Sequence, residues 1–207
     1  MRTFRSAKAR GFTLVELMIV VAIIGVLAAM AIFGVRKYLA AAKTSEAKNT
    51  LGAINRASVS AYERENIPGQ LLADAGSSTQ ATHTLCGNAT PVPAAVPAGK
   101  KYQPSTAAGA DFNGGTATAG WKCLKFGMTE PHYYQYAYTK GAYGITAGLA
   151  ALQAAPGTGW TAEAKGDLDG DGSTFSEFAL VGDIQNGQPK ISTQVIESNP
   201  EDLSSFS

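Results

Sequence analysis

Three carboxylates at alternate positions, Asp167, Asp169 and Asp171, followed by Gly172, are the best candidates for ion chemistry in this 207-residue chain. Calcium takes six or more oxygen ligands, and alternating Asp residues closed by a glycine turn form the first half of a calcium loop of the EF-hand type. Glu177 falls one residue short of the position that should supply the bidentate carboxylate, and no flanking helix pair is evident. The run GDLDGDGSTFSEF reads equally as an acidic, solvated turn between strands. Cys86 and Cys123 are the only cysteines, too few for a four-cysteine zinc site or a disulfide-dense scaffold. His83 and His132 sit in no nucleophile or metal motif, and there is no phosphate-binding glycine loop. The glycine-rich block 141–148 lacks the strand-to-helix frame of a nucleotide fold. The expectation is a protein that is not an enzyme. Asn88-Ala89-Thr90 is a formal glycosylation triplet of the kind that arises by chance.

The elements around these residues begin with a charge asymmetry. The chain carries 17 basic and 16 acidic residues, and only 16% of it is charged. Residues 1–10 hold Arg2, Arg5, Lys8 and Arg10 and no acid, so the remainder is net acidic. That weakens a nucleic-acid interface. Phe12 to Val35 is an apolar run of 24 residues whose one charge is Glu16. As a helix it would span about 36 Å, enough for the ~30 Å hydrocarbon core of a bilayer. The basic leader places the C-terminal part outside the cytoplasm. A secretory signal would have a shorter apolar region and a small-residue cleavage site. A carboxylate within such a helix is costly near the bilayer centre and cheap near the interface, so Glu16 alone reads either as functional or as interfacial.

The run GFTLVELMIVVAIIGVLAAMAI, from Gly11 to Ile32 behind its basic leader, resembles the N-terminal signature of type IV pilins and pseudopilins. The resemblance implies that a prepilin peptidase cuts between Gly11 and Phe12 and that the new Phe12 amine is methylated. It implies that Glu16 and Phe12 direct assembly, the carboxylate of one chain meeting the amine of a neighbour. An unpaired carboxylate in a low-dielectric filament core is costly, so this pairing would set axial register. Phe33 stands where many members carry proline, and Gly25 and Gly34 are weaker helix breaks. Pseudopilins and some pilins hold calcium late in the sheet, which raises calcium as a cofactor at Asp167, Asp169 and Asp171.

The helix is expected to continue over 36–66, with Leu39, Ala47, Leu51, Ile54, Ala61 and Tyr62 on one stripe, and to stop at Asn66-Ile67-Pro68-Gly69. Residues 67–120 read as a long loop, which corresponds to the variable loop of the resembled family. Strand signals then fall at 122–128, 133–139, 175–183 and 190–196. Five of the eight tyrosines lie between 133 and 143 and suit a half-buried strand better than an adhesive surface. Outside the cytoplasm, Cys86 and Cys123 are expected to form one disulfide across the irregular segment.

The expected organisation is therefore a leader 1–11, a membrane and filament-core helix 12–35, its amphipathic continuation 36–66, a variable region 67–120 and a sheet region 121–207. The fold class is α+β, a long N-terminal helix packed on a four-stranded antiparallel sheet. The resemblance implies a major pilus subunit for twitching motility and adhesion, held in the inner membrane and then assembled on the cell surface. Its partners would be copies of itself, the prepilin peptidase, the assembly platform and minor pilins. A pseudopilin of type II secretion or a minor pilin is the alternative within the family. A membrane-anchored DNA-binding receptor is the alternative outside it.

Overall fold

The computed structural model describes residues 11–64 and 83–199. The basic leader, the expected helix stop at 66–69 and the start of the variable loop lie outside the described residues. Two compact units divide the chain, 1–39 and 40–207.

Helix α1 runs from Leu14 to Glu63. Within the first unit its apolar side chains have no cover. Leu17, Ile19, Val21, Ile24, Leu27 and Phe33 are each more than half exposed. This stretch is long and apolar enough to cross a membrane.

Within the second unit α1 is amphipathic. Ala47, Leu51, Ile54, Asn55, Ser58 and Tyr62 are buried at helical spacing. Leu39, expected on this stripe, is exposed, while Ala40 and Thr44 are buried. The stripe thus begins with small residues.

The sheet is antiparallel and has six strands instead of four. The first five are β1 (Ala89–Val92), β2 (Tyr134–Lys140), β3 (Trp160–Gly166), β4 (Ser176–Gln185) and β5 (Gln188–Ile191), in that spatial order. β6 (Ile196–Ser198) pairs with β4 as well. The segment expected as one strand at 190–196 therefore splits between β5 and β6.

The central strand β3 escapes the propensity signal because two of its core-facing positions, Ala162 and Ala164, are small. Ala162 lies between Tyr138 and Leu180, and Ala164 between Tyr136 and Phe178. Gly182 lies beside Trp160, whose ring an added Cβ would strike. Large residues on one strand fill the space that small ones leave on the next.

Residues 122–128, expected as a strand, instead contribute to the short helix α2 (Gly120–Leu124). Lys125 closes it in the left-handed conformation, with φ at 54°. A strand there would separate side chains that α2 buries together, namely Trp121, Cys123 and Leu124.

One buried polar contact sets helix against sheet. Asn55 donates from Nδ2 to the Leu180 carbonyl (3.2 Å) and accepts the Trp160 indole N–H on Oδ1. Both residues are almost fully buried, so each group has to find its partner inside the core.

Candidate functional site

The N-terminal end holds the residues of the resembled processing and assembly motif. Gly11 and Phe12 precede α1 and are exposed, Phe12 at 84%. Thr13 and Glu16 close the helix start on each other. Glu16 Oε2 accepts from the Thr13 N–H (2.9 Å) and the Thr13 hydroxyl (2.8 Å), while the Glu16 N–H donates to Thr13 Oγ1 (3.2 Å). This is a capping box, which satisfies backbone donors that a helix start leaves open. Sequence reasoning missed Thr13, although Thr-x-x-Glu ahead of an apolar run is the signal for it. The box also fixes where the carboxylate sits, one turn along from residue 12. Hydrolysis of the 11–12 bond would put a cationic amine at that end of the helix.

Cys86 and Cys123 are joined by a disulfide, with Cα atoms 5.9 Å apart. It ties the segment before β1 to α2. Around it the Arg64 guanidinium donates to the Cys123 carbonyl (2.7 Å), and the Gly120 N–H to Gly87 O (3.1 Å).

Asp167, Asp169 and Asp171 form a compact loop after β3, with ligand oxygens within 4.8 Å of one another. The loop's own N–H groups occupy much of their capacity. Asp167 is buried and accepts from Gly170 N (2.6 Å) and Gly172 N (3.1 Å). Asp171 is exposed and accepts from the Ser173 hydroxyl and N–H (2.7 Å each) and from Thr174 N (3.1 Å). Those bonds, the Ser173 hydroxyl first, hold its carboxyl below the usual range. Glu177 is on β4 and pairs with Lys165 at 2.9 Å, so it does not turn toward the loop. The donor set for a cation is then three aspartates without the bidentate glutamate.

Tyr134, Tyr136 and Tyr138 face the core and are fully buried, not displayed on the surface. Burial raises Tyr136 and Tyr138 far above the ordinary phenol value. His132 is buried among rings, 5.2 Å from Tyr136 and 5.8 Å from Phe112. Its Nδ1 lies 2.6 Å from the Tyr134 carbonyl, which can only accept, so Nδ1 carries the proton. Burial pushes the imidazole below its ordinary pKa.

Residues 6–32 match the family described as the prokaryotic N-terminal methylation motif. The type IV major pilin protein PilA of Myxococcus xanthus is 54% identical over 57 residues, which covers 28% of this chain and 26% of the relative. The fimbrial protein EcpC of Eikenella corrodens is 51% identical over 53 residues, 26% of this chain and 34% of the relative. A fimbrial protein of Moraxella nonliquefaciens is 60% identical over 38 residues, 18% of this chain and 25% of the relative. The chain thus matches about a quarter to a third of the length of these curated relatives. No solved structure matches.

Proposed function

We infer that this chain, a type IV pilin by its N-terminal segment, is a structural subunit of a pilus filament. The observation that carries the reading is the uncovered apolar half of α1 behind a Gly11-Phe12 junction, with Glu16 held at its start. Exposed apolar surface of that extent needs lipid or other apolar helices around it. A subunit that rests in a bilayer and then packs its helix against copies of itself satisfies that need in both states.

The finer reading is a major subunit processed by a prepilin peptidase between Gly11 and Phe12 and methylated on Phe12. It would be held in the inner membrane before assembly and exported as a surface fimbrium by the assembly platform, with minor pilins. Twitching motility and adhesion are the activities such a filament would serve. The role is structural, not catalytic.

Sheared filaments test this directly. Their dominant subunit should have an intact mass and N-terminus that begin at methylated Phe12. A processed chain that stays in the membrane and is absent from filaments points to a pseudopilin or assembly factor. An uncut Met1 terminus on the functional protein overturns the reading. Glu16→Ala should still insert in the membrane but give no filaments, and a normal yield refutes the assembly role of Glu16.

A second proposal concerns calcium at Asp167, Asp169 and Asp171. The convergence of the three side chains supports it, and the pairing of Glu177 with Lys165 limits it to a weak site.

A further inference from the structure

The apolar run of α1 ends on cationic and aromatic side chains. Lys37 and Tyr38 are exposed just after Val35, Tyr38 at 75%. Lysine and tyrosine suit the headgroup layer of a bilayer, where a ring stays half in apolar surroundings and an ammonium reaches phosphate. Lys43 follows on the same helix, about 12 Å beyond Val35. That layer adds about 5–7 Å to each side of the hydrocarbon core. Side chains on a helix lean back toward its N-terminus, so the Lys43 stem runs toward the layer.

Within the second unit another lysine joins Lys43. Tyr102 and His132 form an antiparallel bridge, each backbone N–H donating across it (2.8 and 3.0 Å). His132 is buried, so the next pair along, Lys101 and Tyr133, falls on the outer side. Lys43 and Lys101 direct their ammonium groups at the Tyr133 ring, with Nζ 4.3 and 5.1 Å from its centroid. A ring face attracts cations without neutralising them, so two positive charges converge there. Neither lysine is in an ion pair among the described residues. Glu46, one turn beyond Lys43, accepts the Tyr133 N–H (3.3 Å), and Glu197 pairs with Lys48 at 2.6 Å. Glu130 is exposed three residues before Tyr133. In the acidic loop, which bridges to Ala98, Asp167 and Asp171 accept from their own loop.

We propose that Lys43, Lys101 and Tyr133 form a binding surface for an anionic phospholipid headgroup at the outer face of the inner membrane, used while the subunit rests in the bilayer. The proposal rests on the reading that the apolar half of α1 crosses a membrane, and it adds the lipid class that meets the second unit. The surface continues the membrane-crossing run, since Lys43 comes four residues after Leu39. The lipid phosphate is the counter-ion that the two ammonium groups lack. A zwitterionic headgroup carries its own cation beside the phosphate and gains less there. A subunit that leaves the bilayer for the filament gives up that counter-ion, so lipid class would set how readily subunits are withdrawn.

The test reconstitutes the full chain in nanodiscs of phosphatidylcholine, alone or mixed equally with phosphatidylglycerol. An amine-reactive ester labels the lysines, and peptide mass spectrometry reads each one. Labelling of Lys43 and Lys101 should fall about fivefold in the mixed discs, and about 1 M salt should return it. Lys140, exposed at the other end of β2 and about 20 Å from Tyr133 along the strand, should change by less than about twofold. Spin-labelled phosphatidylglycerol gives a second readout, since a chain that binds it immobilises it in preference to spin-labelled phosphatidylcholine. K43Q/K101Q should lose that preference and K140Q should keep it, with formation of the Cys86–Cys123 disulfide as the check on folding. Equal labelling in the two discs, an equal fall at Lys140, or a preference that survives K43Q/K101Q overturns the proposal. Equal protection by inorganic phosphate in phosphatidylcholine discs also overturns it, because the lysines then hold a free anion. A chain that enters the discs without these lipid effects leaves the membrane reading standing. If it enters neither disc, both fail.

Discussion

Glu163→Gln should loosen one loop and lower the stability of the whole second unit. Glu163 is fully buried on β3 and in no ion pair among the described residues. Its carboxylate is instead surrounded by donors. Gly144 N lies 2.8 and 2.9 Å from its two oxygens, and Oε2 also accepts the Thr146 N–H and hydroxyl, each at 2.8 Å. Gly144 has to be glycine for this, since a Cβ there would come within 2.5 Å of Thr139 Oγ1. In the glutamine variant one oxygen still accepts, but an NH2 group replaces the other. With the amide oxygen at the Oε2 position the Gly144 and Thr146 donors keep an acceptor, and the NH2 group is set against the Gly144 N–H without a partner.

One buried donor is then orphaned, so the loss should be about 1–3 kcal/mol. For a unit the size of Ala40–Ser207 that lowers Tm by roughly 2–12 °C. Urea or thermal unfolding of this fragment gives the magnitude. Hydrogen exchange at the Gly144 and Thr146 amides gives the location, since both should lose protection before the rest of the sheet. A stability change below about 0.5 kcal/mol with unaltered exchange at those amides refutes the argument that the buried carboxylate holds this loop.

Reducing Cys86–Cys123, separated by 37 positions, should cost about 4 kcal/mol in the chain-entropy account, read as a lower urea midpoint after reduction. An unchanged midpoint contradicts it. Millimolar calcium should raise the melting temperature of the Ala40–Ser207 fragment and chelation should lower it again, an effect that Asp169→Asn should weaken. The absence of any shift removes the calcium proposal. His132 is held below its ordinary pKa by burial, so the folded state binds its proton less readily than the unfolded chain. Its contribution is full above the unfolded value of about 6.5 and is lost as pH falls from there through the folded pKa. His132→Phe should flatten the fall in stability below about pH 6.5, and an unchanged slope assigns the dependence elsewhere.

The parts of this molecule that were legible in its sequence are those where local order carries the physics. The apolar run from Phe12 to Val35 announces a helix long enough to cross a bilayer, and its side chains are left uncovered. The β2 tyrosines and Phe175–Asp183 read as strands because aromatic and β-branched residues suit a pleated, half-buried surface. The β3 sequence WTAEAKG carried no such signal. Its alanines are strand residues because Tyr136, Tyr138 and Phe178 on the neighbouring strands need the room. The segment Lys122–Met128 alternates like a strand, but α2 is chosen where Trp121 packs on Phe112 and Cys123 meets Cys86.

Sequence by itself determined the N-terminal motif, the apolar helix and the acidic loop, because each is a run of neighbours whose chemistry needs no distant partner. Only the tertiary structure decided the rest. It turned Glu177 onto Lys165, closed Asn55 on Trp160 and buried Glu163 under Gly144 and Thr146. The Asn55–Trp160 and Glu163–Gly144 pairs join residues 105 and 19 positions apart. Separations like these are set by how side-chain volumes fill one core, and that sum is not written in any single stretch of the chain.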